Sequence, residues 1–332
     1  MPVVRFFGNL VLALVLVGLC GLILFGFYGL AVSSTWEYAD LETGAEGNWA
    51  WIDGQPIHYQ LAGSEGAPWV VLLHDYDVGG SATWRPTIPA LLKAGTRVLA
   101  IDLKGFGHSA RDTASGYSVR AHADVVARLL NEQGVRGATV VGHGWGSMVA
   151  LQLAVDQPQF VGRLALLAPV EDEGRVAPWR RVARLPYVGR VAAWAGGSGG
   201  PLWGALQRRC FHDPSLATAT YLRELRAPGR IVGTMDALLA MARSPRDSDL
   251  PAGLPRVRAP ALIVAGEGDV VAPPRHAERL AEELPEATLV LLPQAGHALH
   301  VECSTEVNRL LAGLALDGSV DGAIATVRGA TE

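Results

Sequence analysis

Two hydrophobic patterns divide the chain. From Phe6 to Trp36 no side chain carries a charge, and residues 10–32 are almost wholly apolar. A helix of that length spans about 35 Å, enough to cross a hydrocarbon core with some tilt. The run has no polar face, which argues against a buried core helix. Ala31-Val32-Ser33 offers the small residues of a cleavage site, but a signal peptide's apolar region is usually about 7–15 residues long. The pattern therefore predicts a retained transmembrane anchor over residues 1–36. Beyond it, apolar runs become short and turn-bounded. Residues 49–61, with Asp53-Gly54 between apolar positions, read as a β-hairpin. Residues 69–73, 97–101, 138–141, 164–167, 261–265 and 288–292 read as strands buried on both faces. Helix-period segments at 121–132, 148–155 and 277–284 lie between several of them. This alternation predicts an α/β fold with a mostly parallel central sheet and helices on both faces.

The alternation stops between about residues 171 and 250 and then resumes. The expected organisation is an anchor (1–36), the first part of an α/β core (37–170), an inserted helical lid (171–250), the second part of the core (251–314) and a loosely ordered tail (315–332). With 49% hydrophobic and 18% charged residues, the chain can bury one sizeable core.

Charge narrows the partners. The net charge is −4, without the basic footprint that a nucleic-acid partner requires. Arg5 precedes the apolar run, and Glu37, Asp40, Glu42 and Glu46 follow it. Basic residues favour the cytoplasmic side, so the N-terminus is expected inside and the folded domain outside. Cys20, Cys210 and Cys303 form no CxxC or Cys/His spacing, so no metal or cofactor is expected. Residues 171–250 carry twelve Arg against eight acidic side chains. Trp179, Arg180, Arg181, Arg184, Tyr187, Arg190 and Trp194 mix cationic and aromatic character there. Such a surface suits bilayer headgroups or a lipid-like ligand, while an ordinary lid lining a pocket for a small apolar ligand is the simpler expectation.

The stretch Thr139-Val140-Val141-Gly142-His143-Gly144-Trp145-Gly146-Ser147-Met148 reads as strand, sharp turn and helix. It matches the G-x-S-x-G elbow, whose central residue projects its side chain above the sheet. Gly142 and Gly146 hold the flanks, so the centre is Gly144. From Trp49 to Leu311 the chain resembles the α/β-hydrolase superfamily. His74 begins what resembles the oxyanion loop, with Gly79-Gly80-Ser81 and Trp84 after it; Asp102-Leu103-Lys104-Gly105-Phe106-Gly107-His108-Ser109 resembles the D-x-x-G-x-G-x-S turn. Gly266-Glu267-Gly268-Asp269, with Pro273, resembles the acid loop, and Gly296-His297 the histidine loop. The resemblance implies that Asp269 and His297 form an acid–histidine dyad and that His74, Asp75 and Trp145 border the oxyanion site. Asp102 and Ser109 read as scaffold, His143 as a packing residue; His58, His108, His276 and His300 stand in no distinguishing constellation.

The departures matter most. Gly144 has no side chain, so no acyl-enzyme can form on it. The Gly-His-x-Trp-Gly context is also similar to haloalkane dehalogenases and epoxide hydrolases, whose central residue is an aspartate. Ser147 has bulky neighbours, Trp145 and Val149, two positions away, which an elbow does not accommodate. After His74 the family often has glycine, but here stand Asp75 and, close by, Asp77. Carboxylates at an oxyanion site oppose developing negative charge. Three functions follow. The first is a non-catalytic, membrane-tethered ligand-binding or scaffold protein, similar to the N-myc downstream-regulated proteins in keeping the fold without the nucleophile. The second is an enzyme acting on a small ester- or epoxide-like substrate through the Asp269–His297 dyad. The third is an inactivated variant of a serine or aspartate hydrolase.

Overall fold

A computed structural model describes residues 2–113, 116–170, 179–185, 188–244, 250–319 and 328–329. Helix α1 (Pro2–Trp36) leads into the hairpin β1 (Asn48–Ile52) and β2 (Gln55–Ala62). Asp53 and Gly54 at its tip both take positive φ, 52° and 75°, as a tight two-residue turn with the strands' own twist demands. Then come β3 (Trp69–Leu73), α2 (Ile88–Lys93), β4 (Arg97–Ile101), α3 (Val119–Glu132), β5 (Ala138–His143), α4 (Trp145–Asp156) and β6 (Val161–Leu167). Helix α3 starts where the Ser118 hydroxyl accepts from the Ala121 amide, satisfying one of the donors a helix end leaves free.

An insertion follows, with the short helices α5 (Trp179–Ala183), α6 (Val188–Ala192), α7 (Trp203–Arg208), α8 (Ala219–Arg226), α9 (Thr234–Arg243) and α10 (Leu250–Gly253). The core resumes with β7 (Ala261–Gly266), α11 (Arg275–Glu283), β8 (Ala287–Leu292), α12 (Leu299–Glu302) and α13 (Ser304–Leu316). Residues Arg328–Gly329 form β9, antiparallel to β8. Of the tail expected to be loosely ordered from residue 315, residues 320–327 and 330–332 lie outside the described residues. The helix continues to Leu316, and two residues find a strand edge whose ladder groups would otherwise be unpaired.

Among the described residues the sheet order is β1-β2-β4-β3-β5-β6-β7-β8-β9. From β4 to β8 all neighbours are parallel, while β1, β2 and β9 pair antiparallel. The mostly parallel sheet is therefore as expected. Its runs of Val, Leu, Ile and Ala are buried on both faces. One core cluster gathers α3, α4 and the insertion on one side; the other packs Trp84, Leu91, Leu299 and Leu310 on the opposite side. The order reverses at β3, which lies between β4 and β5. A crevice opens at the carboxyl ends of strands at such a switch point. The loops carrying Asp75 and Gly144 leave from that place.

The last turns of α1 pack on α6 and the residues after it. The Trp36 indole donates to the Ser198 carbonyl at 3.0 Å, and Arg230 lies 3.6 Å above the Trp36 ring. Trp194 meets both Tyr28 and Trp36 edge-on. The Glu37 carboxylate accepts from the Gly233 and Met235 amides at the start of α9. Replacing Glu37 by Ala removes this cap, and a loss of about 1–2 kcal/mol is expected. Thermal unfolding in detergent reads it as a melting point a few degrees lower; an unchanged melting point would mean that the α1–insertion joint carries no stability. Along Phe6–Trp36 the helix is long and apolar enough to cross a membrane, with its apolar window almost wholly exposed. Of the cationic and aromatic set, Tyr187 and the side chains of Trp179 and Arg180 are outside the described residues. Arg190 pairs with Asp236 and Trp194 is turned onto α1. Glu171 also lies outside them.

Candidate active site

The elbow forms because its flanks are glycine. A Cβ at Gly142 would stand 2.5 Å from the Gly146 carbonyl oxygen, and one at Gly146 would stand 2.4 Å from that of Leu73. Between them Gly144 takes φ 53° and ψ −114°, a conformation that costs an ordinary residue roughly 1–3 kcal/mol. The space above it is filled. A Cβ on Gly144 would fall 2.2 Å from Asp75 Oδ1 and 2.8 Å from its Oδ2, so the Asp75 carboxylate lies where an elbow side chain would begin. Ser147 offers no replacement: it is fully buried, and its hydroxyl donates to the Gly142 carbonyl.

His297 stands between two carboxylates. Its Nδ1 is 2.7 Å from Asp269 Oδ2, and its Nε2 is 3.1 Å from Asp75 Oδ2. The second oxygen of Asp269 accepts from the Val271 and Ala272 amides, which fixes the acid's orientation. Asp75 Oδ1 accepts from the Trp145 amide at 2.6 Å. Burial works against ionising Asp75, but the hydrogen bond and positive charge of His297 and the Trp145 amide outweigh it and hold the carboxyl well below its usual range. Burial likewise works against charging His297. The charge and hydrogen bond of Asp269, joined by those of Asp75, overcome it and push the imidazole up to about 10. The resting pair is therefore imidazolium and carboxylate.

Beneath lies a neutral layer. The His143 ring nitrogen Nε2 meets the His297 carbonyl at 2.9 Å, and His300 Nε2 meets the Thr83 hydroxyl at 2.7 Å. Burial first, then the charge of His297, lowers His143 to about 4. These rings pack and position, as expected of His143, and do not share the proton.

His74 heads the loop that carries Asp75. Its Nε2 accepts from the Leu103 amide and its Nδ1 donates to the Asp75 carbonyl, so both nitrogens are spent on backbone. Its effect on the site is to orient the peptide that carries Asp75. Trp145 contributes its amide, while its ring packs on Tyr76, Phe106 and His122. A cavity of about 370 Å³ opens above His297, with Asp75, Asp77, Trp203, Cys210 and Tyr221 in its wall. The Asp75 side chain is 21% exposed there. Asp77 accepts from the Gly79 amide; burial, then the charge of Asp75, pushes its carboxyl up to about 7 despite that bond. Among the described residues no group of three or more His, Cys, Asp or Glu side chains is disposed to hold a metal ion.

The sequence profile of the alpha/beta hydrolase fold matches residues 68–302. The chain belongs to the α/β-hydrolase family. A curated relative, the putative carbamate hydrolase RutD of Variovorax paradoxus strain S110, is 31% identical over 77% of this chain and 94% of its own. Among solved structures, a hydrolase from Pseudomonas aeruginosa PA01 is 27% identical with a TM-score of 0.67, covering 83% of this chain and 100% of that one. The meta-cleavage product hydrolase of Pseudomonas fluorescens IP01 is 23% identical, TM-score 0.68, over 80% and 96%; it is similar in fold.

In this α/β hydrolase the D-x-x-G turn does structural work, as expected for Asp102 and Ser109. Asp102 accepts from His58 Nδ1 at 2.7 Å and from the Ser81 and His108 amides. The Ser109 hydroxyl donates to the Asp102 carbonyl and accepts from the His58 amide. His58, which nothing in the pattern set apart, is thus half of a buried hydrogen-bonded pair. Its only sequence signal was a histidine at an inward position of a predicted strand, which does not name a partner 44 residues away.

Proposed function

We propose that this chain is a membrane-anchored hydrolase of small, largely apolar substrates, with Asp269 and His297 as its proton-handling dyad. The observation that carries this is the His297–Asp269 pair, buried and hydrogen-bonded, in the wall of a cavity of about 370 Å³. A second carboxylate, Asp75, faces the other nitrogen of the ring. Gly144 leaves the elbow without a nucleophile of its own, so serine-type acylation at that position is not part of the reaction. The relative named as a putative carbamate hydrolase supports hydrolysis as the reaction class. Helix α1 serves as the anchor, N-terminus cytoplasmic and domain extracytoplasmic on the strength of Arg5 before the apolar run and the lack of a basic residue among residues 37–46 after it. The insertion acts as the lid: Trp203, Leu206 and Tyr221 contribute to the cavity wall.

A second reading, a non-catalytic ligand-binding or scaffold protein, is favoured by one observation. Asp75 satisfies both the Trp145 amide and His297, so the polar groups of the site are complete without a substrate. Full-length protein in detergent decides between them, tested on small esters, carbamates and epoxides beside His297→Ala and Asp269→Asn. Loss of an acid–base residue typically costs about 10²–10⁴-fold, so turnover by the native chain should fall by that factor in both variants. If the native chain hydrolyses nothing above the His297→Ala background, the enzyme reading is lost and the binding reading stands.

A further inference from the structure

We infer that Asp75 is the nucleophile of this site, carried on the loop after β3 instead of on the elbow, and that its substrates are small epoxides. The inference rests on the hydrolase reading above and adds the attacking atom and the substrate class. Four observations converge on it. The carboxylate occupies the room of an elbow side chain, within 2.2–2.8 Å of where a Cβ on Gly144 would stand. Its Oδ1 is pinned on the Trp145 amide. Its Oδ2 faces His297 at 3.1 Å. The side chain also reaches the cavity, where a substrate would meet it. The two departures from the family pattern are thereby one change. Side chain and glycine have exchanged places between positions 75 and 144, and a carboxylate remains above the elbow.

The geometry also selects the electrophile. An acyl substrate needs a donor for its carbonyl oxygen, and the Trp145 amide is already held by Asp75 Oδ1. Attack on a saturated carbon needs no such donor. Asp75 Oδ2 would attack a ring carbon of the epoxide; the new C–O ester bond forms as the ring C–O bond breaks, and its electron pair leaves on the ring oxygen. That alkoxide takes the Nε2 proton of the imidazolium, which Asp269 and Asp75 keep charged. Ester formation neutralises Asp75 and the imidazole is now neutral, so His297 can act as base. It takes a proton from water as the hydroxide adds to the Asp75 carboxyl carbon. The oxyanion then formed is Oδ1, already on the Trp145 amide. Collapse expels the second alkoxide, which is reprotonated, and returns Asp75 as carboxylate and His297 as imidazolium. Epoxide plus water gives a vicinal diol.

The test uses full-length protein with styrene oxide and 1,2-epoxybutane as probes. His297→Asn, which can neither protonate the alkoxide nor activate water, should form no diol, while native enzyme denatured in acid during turnover should carry up to one equivalent of epoxide mass on the peptide containing Asp75. With excess native enzyme in oxygen-18 water, first-turnover diol should carry unlabelled oxygen and the label should appear in Asp75. Asp75→Asn and Asp75→Ala should each lower kcat on the order of 10⁴-fold and form no adduct. Label entering the diol directly, with Asp75 unlabelled, would overturn the nucleophile while leaving the dyad as a base acting on water. Hydrolysis of esters or carbamates with neither diol nor adduct from the epoxides would overturn the inference and spare the hydrolase reading. Failure across every substrate would remove both.

Discussion

Gly144→Ser made alone is expected to yield no esterase, whereas Asp75→Gly/Gly144→Ser is expected to hydrolyse p-nitrophenyl acetate at least about 10³-fold faster than the single variant. Two effects act together. The serine Cβ would stand 2.2 Å from Asp75 Oδ1, far inside van der Waals contact, so the serine and Asp75 cannot both keep their positions. Even a displaced Asp75 would leave a carboxylate competing for the Trp145 amide, and one oxyanion donor is worth about 10²–10³-fold. Removing the aspartate frees that donor, the space and His297 Nε2 at once, and Asp269 continues to orient the ring. The double variant then has the acid, base, nucleophile and donor of an acyl-transfer site. Initial rates on both variants, with circular dichroism to confirm folding, check this. Equal activity in the single and double variants would mean that Asp75 does not obstruct the elbow. Gly144→Asp is expected to fail more severely, because it brings a second carboxylate to the same place.

Asp102 carries the largest expected effect on stability. Replacing it by Asn or Ala should cost about 3–5 kcal/mol, because it strips a buried hydrogen-bond network of its central carboxylate, with a melting point lower on the order of 10 °C. Its oxygens hold together three segments: His58 on β2, Ser81 in the loop after β3, and His108 in its own turn. Gly80 and Gly107 take positive φ and lie so close to the carboxylate that a Cβ on either would stand within 2.5 Å of it. Burial opposes the charge on Asp102, but the hydrogen bond and charge of His58, with His74 and Ser81, hold the carboxyl well below its ordinary range. A depressed folded pKa adds stability above the unfolded value of about 3.9. That stability is lost as pH falls through the folded value. The gap between native protein and Asp102→Asn should therefore be full at pH 7 and shrink as pH falls from about 5 towards 2. Urea unfolding at several pH values measures it; a gap independent of pH would place the contribution in packing alone.

How much of this was legible in the sequence differs by level. Strands β3 to β8 were readable to within three residues at each end, because a strand buried on both faces must be apolar throughout and must stop at turn residues. The apolar helix over residues 6–36 was readable for the same reason carried further: 23 residues without a charge form one unbroken apolar run. The resemblance of Gly266-Glu267-Gly268-Asp269 and Gly296-His297 to the family's acid and histidine loops, in family order, named the dyad. The helix starts were read late, at residues 121 and 148 rather than Val119 and Trp145. The first turn of a helix is shaped by its cap and not by apolar periodicity.

What tertiary structure alone decided is the meaning of Asp75. From the sequence, a carboxylate beside the oxyanion site reads as an electrostatic fault, and glycine at the elbow as a lost function. Strand order places the loop after β3 beside the turn after β5, and there the two become one arrangement: a carboxylate seated on an amide, facing a histidine, in the space glycine leaves. The same holds for His58 and Asp102. Hydrophobic period and turn chemistry are local and survive in one dimension; a hydrogen bond between residues 70 or 222 positions apart depends on how the sheet is ordered, and no local pattern encodes it.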